Sequence, residues 1–252
     1  MSIDILTHLL LFIAGAAAGF VDSIAGGGGL IALPALLAAG LPPHQALATN
    51  KLQGTFGTFS ATVNYARLGM MQPRLLVQGI VFTFLGAVAG AWAVQQFEAD
   101  FLRDVVLAML IVVFLYTLAT PRLGFQPGPR RMSSGLFTLS GGLLLGFYDG
   151  FFGPGTGSFW TLALVLLMGQ GLKQATAQTK VFNFTSNIVA LVVFIASGLV
   201  VWSYGLVMGA GELLGAWAGS TLVHRRHASF VRLFFLLVVA ATILRLLWER
   251  FG

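Results

Sequence analysis

No cysteine occurs in these 252 residues, so neither a disulfide nor a thiolate metal site can form, and nothing reports the redox compartment. Charge is almost as scarce. Asp, Glu, Lys and Arg make up 9% of the chain, against roughly 25% in a soluble domain. A chain that is 57% hydrophobic on so few charges cannot cover itself with a solvated surface, and a polytopic membrane protein embedded in a lipid bilayer is expected. Acids are scarcer than bases, 8 against 14, for a formal charge of +6. In a soluble protein that excess would point to nucleic acid. Here the arginines fall in short loops between apolar segments, as topology determinants do, and no nucleic-acid partner is expected. No basic stretch precedes the first apolar run, where only Asp4 and His8 ionise, so that run is expected to be a retained helix. His8, His44, His224 and His227 lie near segment ends with no metal-binding spacing, so neither metal nor cofactor is expected.

What is present is a repeat. One stretch reads Gly19-Phe20-Val21-Asp22, enters Gly26, Gly27, Gly28 and Gly29, passes a short apolar segment, and reaches Ala48-Thr49-Asn50-Lys51. The other reads Gly146-Phe147-Tyr148-Asp149, enters Gly153-Pro154-Gly155-Thr156-Gly157, passes another short segment, and reaches Ala177-Gln178-Thr179-Lys180. The register extends further: Gln45-Ala46 answers Gln174-Ala175, Gly69 answers Gly198, and residues 86–90 answer 215–219. The chain divides into a first repeat (1–120), a basic, proline-rich linker (121–134) and a second repeat (135–252).

Apolar segments are predicted at 5–21, 30–39, 46–68, 75–94 and 105–119, then at 136–152, 158–168, 173–197, 204–222 and 230–248. The fold class expected is all-α, each half having four full spans plus one short broken or re-entrant helix. Segment 30–39 is too short to cross about 30 Å of hydrocarbon as a regular helix. Segment 46–68 is long enough, yet Thr49, Asn50, Lys51, Gln53, Thr55, Thr58 and Asn64 must face protein or a cavity. Gly86 and Gly90 have the spacing of close helix contact. If the short elements cross, the halves are inverted repeats, and Arg67 and Arg74, the linker arginines, and Arg225 and Arg226 fall on one side, with the acidic loop 98–104 on the other. If they are re-entrant, the loop at Arg225 and Arg226 lands opposite. Positive-inside statistics favour inversion, although Arg245 and Arg250 argue against it.

The residues able to carry chemistry cluster in the repeated stretches. Four glycines cannot hold a helix interior, at roughly 1 kcal/mol each relative to alanine, and Pro154 breaks the second copy. Freed backbone inside a bilayer has to be buried in protein or line a cavity. Each break also starts a short helix, whose free N–H groups and positive dipole end favour an anion. Thr156 and Ser158 add hydroxyl donors there. Lys51 and Lys180 stand at matching places and need partners: either Asp22 and Asp149 pair with them, or they meet an anionic substrate, or they snorkel. Lys180, Asn183 and Asn187 share a helix face, as do Lys51, Gly54 and Thr58. Glu212, whose counterpart is Thr83, stands alone in its segment; with Asp22 and Asp149 it is a candidate for a coupling proton or a structural ion pair. Residues 27–32 fit a dinucleotide fingerprint only loosely and lack its strand, and no P-loop ending follows.

These motifs resemble the TauE/SafE-type sulfite exporter family of membrane permeases. The likeness lies in Gly-Phe-x-Asp with its glycine cluster and the run Ala48 to Lys51, and in the second-half stretch from Gly146 to Gly157 followed by Ala177, Lys180 and Asn183. The resemblance implies a multi-pass protein of the bacterial inner membrane with two repeated halves. It implies transport of a small anion such as sulfite, sulfoacetate or another organosulfonate or organic acid. With the duplicated break-plus-lysine pattern, the expectation is a secondary transporter, an exporter, working by alternating access, one half rocking against the other. The site residues expected are Gly26, Gly27, Gly28, Gly29, Asn50, Lys51, Gly153, Gly155, Thr156, Gly157, Ser158, Lys180, Asn183 and Asn187, with a proton or cation as possible coupling partner. An anion channel needs the same cationic lining. No protease or transferase constellation points to an enzyme.

Overall fold

The computed structural model describes residues 3–97, 108, 111, 112, 115, 119, 127–225 and 244. The expected segments 105–119 and 230–248, the acidic loop 98–104, residues 121–126 of the linker, Arg226, Arg245 and Arg250 lie outside it but for those isolated positions. Among the described residues eight helices follow in order: α1 (Ile3–Ala25), α2 (Gly29–Ala38), α3 (Pro43–Arg67), α4 (Pro73–Val94), α5 (Ser134–Phe151), α6 (Thr156–Met168), α7 (Leu172–Ala196) and α8 (Trp202–Arg225). Every segment predicted within the described range is helical. Proline opens α3 and α4, where its missing N–H would have had no partner, and the Ser133 hydroxyl caps α5 by accepting from the Leu136 amide at 3.3 Å. Gly69 and Gly198, matched in sequence, both take φ of +68°. They close α3 and α7 with the same bonds, Met70 N–H to Tyr65 O and Leu199 N–H to Phe194 O.

Among the described residues four stretches are long and apolar enough to cross a membrane: Ile5–Ala25, Leu75–Val94, Leu172–Ala196 and Trp202–Arg225. The 25 residues of α3 would reach about 37 Å at 1.5 Å each, but their composition is too polar to be read as a lipid-facing span. The polar groups of α3 are turned inward: Thr49, Asn50, Lys51, Gln53, Thr58, Ser60 and Asn64 are all buried. α4 does the reverse and exposes Val77, Val81, Phe84, Leu85, Val88 and Trp92. An apolar exterior around a polar interior suits a lipid solvent, in which apolar exposure costs nothing and an unpaired polar group costs most.

The most extensive helix contacts, α1 with α8 and α4 with α5, join one half of the chain to the other. Glycine makes them possible. A Cβ on Gly15 would stand 2.1 Å from Met208 O, on Gly19 2.2 Å from Glu212 O, and on Gly215 1.9 Å from Ala16 O. In the second pair a Cβ on Gly86 would stand 2.5 Å from Leu143 O and on Gly90 2.1 Å from Phe147 O. These backbones touch. The residue numbers rise together, 15 with 208 and 19 with 212, so α1 and α8 are parallel, as are α4 and α5. α3 follows α8 in the same sense, through Ser60 Oγ to Leu213 O at 2.8 Å and Asn64 Nδ2 to Ser220 Oγ at 2.8 Å. The end of the linker is tied to α6, with Gly128 N–H bonding Gly169 O at 3.0 Å and Arg131 N–H bonding Leu167 O at 2.9 Å.

Candidate functional site

The helix expected to end at Asp22 runs one turn further, to Ala25. Its last carbonyls still find donors: Gly26, at φ +77°, turns the chain while its N–H bonds Asp22 O at 2.8 Å. The Asp22 carboxylate then divides its work. One oxygen accepts from the N-cap amide of α2, Gly28, at 3.3 Å, and the other meets Lys180 at 2.9 Å. In the second half Gly153 (φ +96°) and Gly155 (φ +82°) make the break. The Asp149 carboxylate takes Lys51 at 2.7 Å on one oxygen and the Ser186 hydroxyl on the other. The two breaks lie against each other. A Cβ on Gly26 would fall 2.2 Å from the Gly157 carbonyl carbon, and one on Gly29 3.1 Å from Pro154 Cα.

Of the three fates open to the lysines, the structure selects pairing, and it pairs them crosswise: Lys51 of the first half with Asp149 of the second, Lys180 of the second with Asp22 of the first. Exposures of 1% and 0% exclude snorkelling. Each ammonium also donates to the main-chain carbonyl of its aspartate. Lys51 adds a contact to Asn187 Oδ1 at 3.3 Å, which uses the last of its three N–H groups. An ammonium accepts nothing, so this contact also fixes the Asn187 amide: its oxygen faces the lysine and its NH2 is free to face a ligand.

A cavity of about 30 Å³ lies between the breaks. Its lining includes Gly26, Gly29, Asn50, Lys51, Gly153, Gly155, Gly157, Asn183 and Asn187 from the expected anion set, and Asp22, Asp149 and Glu212 from the candidate proton or ion-pair set. Gly27, Gly28, Thr156, Ser158 and Lys180 do not line it. The two hydroxyls expected to donate to an anion are bound to carbonyls instead, Thr156 Oγ1 to Gly153 O at 2.5 Å and Ser158 Oγ to Ala25 O at 2.6 Å. Thr156 closes its own break and Ser158 ties the two breaks together, because a freed carbonyl inside a bilayer needs a donor at once. Gln53, Gly54 and Thr58 complete the lining. Gly54 and Thr58 are legible as the face they share with Lys51; Gln53 shows only as part of the polar load of α3. Ser186 escaped notice because its counterpart in the first half is Gly57, which cannot repeat the hydroxyl. No group of three or more His, Asp or Glu is placed to hold a metal among the described residues.

The chain matches the family model for the sulfite exporter TauE/SafE over residues 11–246. It belongs to that family. The probable membrane transporter protein YfcA of Escherichia coli K12 is 45% identical over 243 residues, covering 96% of this chain and 90% of its own. The probable membrane transporter protein ORF9 of a Sinorhizobium species is 45% identical, covering 97% and 94%. A probable membrane transporter protein of Haemophilus influenzae is 41% identical, covering 92% and 90%. These names are those of membrane transporters, and four apolar helices give this TauE/SafE protein the means to sit in a membrane. Its cavity lies where the repeated motifs of the two halves meet.

Proposed function

We propose that this protein is a secondary transporter that exports a small oxyanion of the sulfite or organosulfonate class across the bacterial inner membrane by alternating access. The observation that carries the reading is the polar cavity at the crossing of the two helix breaks, bordered by ion pairs that each join one half of the chain to the other. Its donors are the free NH2 of Asn187 and the backbone amides of Gly29 and Gly157, which line the cavity in the first turns of α2 and α6. Lys51 acts by positioning Asn187 and neutralising Asp149, with no N–H left over for the anion. One water needs roughly 10–15 Å³ of cavity, so about 30 Å³ suits an anion as small as sulfite. A larger organosulfonate needs a more open state.

Inverted halves are supported by the helix directions. α1 and α3 both follow α8, and α4 follows α5. α3 opposes α7, since Ala46 and Ala48 share a core with Ala190 and Phe194 while Ala61 and Tyr65 share one with Ala177. Gln170 and Gln72, 3.5 Å apart, put the starts of α4 and α7 together. The first helices of the two halves, α1 and α5, therefore run oppositely. The same arrangement gathers basic residues at one end: Arg67 stacks over Trp217 at 5.3 Å, and Lys173 bonds His224 O at 3.1 Å beside Arg225. That end is assigned to the cytoplasm.

The moving units proposed differ from the two sequence halves expected to rock as rigid bodies. The largest interfaces join the halves, so α1 with α8 and α4 with α5 are the natural rigid units. The ion pairs bracket the cavity along the axis. Lys51 is level with Asn187, and Lys180 lies seven residues before it, about 10 Å at 1.5 Å per residue. Each pair can then close one side of the site.

The test is flux of sulfite and small sulfonates in liposomes, comparing the natural protein with Asn187→Leu, which keeps bulk and removes the donor. Transport is expected to fall at least tenfold. Undiminished flux in that variant sinks the site assignment, and currents far above carrier turnover would make the protein an anion channel.

A further inference from the structure

Among the described residues, Asp149 has a hydroxyl partner and Asp22 has none. Ser186 donates to Asp149 Oδ2, whereas the residue equivalent to Ser186 in the first half is Gly57. The space a side chain at 57 would occupy is filled from α8. A Cβ on Gly57 would stand 2.6 Å from Glu212 Cδ and 2.7 Å from its Oε1. On the other side, a Cβ on Gly19 would stand 2.7 Å from Glu212 Cγ. Two glycines thus make a seat for one carboxyl. Glu212 is 2% exposed and lines the cavity, its Oε2 has no hydrogen-bond partner, and it forms no ion pair among the described residues.

The charged groups facing this carboxyl are already matched. Asp22 on α1 and Lys180 on α7 pair with each other at 2.9 Å, and across the cavity Asp149 and Lys51 pair at 2.7 Å. α3 presents Gly57 and Thr58, and neither ionises. The two pairs cancel, so Glu212 alone sets the net charge of the site: zero when it holds a proton, minus one when it does not. A buried carboxylate without donor or cation is the costly alternative. Protonated, the same side chain is neutral and carries its own O–H donor into the seat between Gly19 and Gly57.

We propose that Glu212 is a proton-binding site and that the anion crosses together with one proton held there. This rests on the anion-transport reading above. An anion entering the cavity adds negative charge beside Glu212, so anion and proton favour each other's binding, and the coupling is reciprocal. The equivalent position in the other half is Thr83, which does not ionise, so the stoichiometry is one proton, not two.

Methanesulfonate is the probe, because it stays ionised at every working pH and any proton taken up belongs to the protein. Calorimetry in two buffers of different ionisation enthalpy, from neutral to alkaline pH, counts those protons. Affinity is expected to weaken about tenfold per pH unit where Glu212 deprotonates, with up to one proton absorbed per anion. Glu212→Gln is expected to bind with pH-independent affinity and no uptake. Uptake that survives in Glu212→Gln, or pH-independent affinity in the natural protein, overturns the proposal. Infrared spectra give a reading that needs no anion: a protonated-carboxyl band that titrates, vanishes in Glu212→Gln and moves in Glu212→Asp. If methanesulfonate fails to bind while that band behaves so, the anion reading falls and the proton site stands; absence of the band removes the proton site.

Discussion

The crossed ion pairs offer the most direct test of how this interior is held together. Consider Lys51→Met, which keeps the length of the side chain and removes its charge. The ammonium lies 2.7 Å from Asp149 Oδ1, an attraction of about 6 kcal/mol at an effective dielectric of about 20. Part of that is offset by the cost of keeping both groups out of water, and breaking a buried pair from one side costs about 3–5 kcal/mol. Asp149 would be left charged at 3% exposure with the Ser186 hydroxyl as its remaining side-chain partner. Asp149→Asn strands Lys51 in the same way. In a chain of this size about 3–5 kcal/mol corresponds to a fall in Tm on the order of 10 °C. The double variant removes both charges and is expected to regain most of the loss, since replacing a whole buried pair is often near neutral. Thermal unfolding of detergent-purified protein, followed by tryptophan fluorescence, completes the cycle. Losses that simply add in the double variant would refute the pairing argument, because independent side chains show no coupling.

Three further outcomes are expected. Ser186→Ala should lower stability by about 1.5–3 kcal/mol, the range for a hydrogen bond to a charged group, and should do so little when Asp149 is already Asn; denaturant titration of the four proteins decides it. Gly215→Leu should abolish the monodisperse folded protein on size-exclusion chromatography, because its Cβ alone would stand 1.9 Å from Ala16 O and α1 and α8 cannot part without exposing the cavity; a well-behaved variant would contradict the packing. In a chain without cysteine, single cysteines at the matched turns Gly69 and Gly198 should react with impermeant reagents from opposite faces of the membrane, and labelling from the same face would remove the inverted arrangement.

The membrane class and the eight described helices were legible because lipid selects on composition and length, which are properties of the chain itself. The glycine breaks and the paired lysines were legible for a related reason: a duplicated sequence marks positions that a single copy would leave ambiguous. Even the tight turns at Gly69 and Gly198 follow from local chemistry. What composition could not supply is which half each partner comes from. Asp22 lies 29 residues from Lys51 in sequence yet pairs with Lys180, and that choice depends on α1 packing against α8 rather than within its own half. The role of Ser158 was decided the same way, by the Ala25 carbonyl of the other break that only folding brings within reach, whereas Thr156 bonds Gly153 O three residues back. Glu212 was visible as a lone acid, but that it occupies the place of a missing serine required the seat made by Gly19 and Gly57 on two other helices. Local sequence sets which backbone groups are freed and which charges are buried; the packing of distant helices sets who satisfies them.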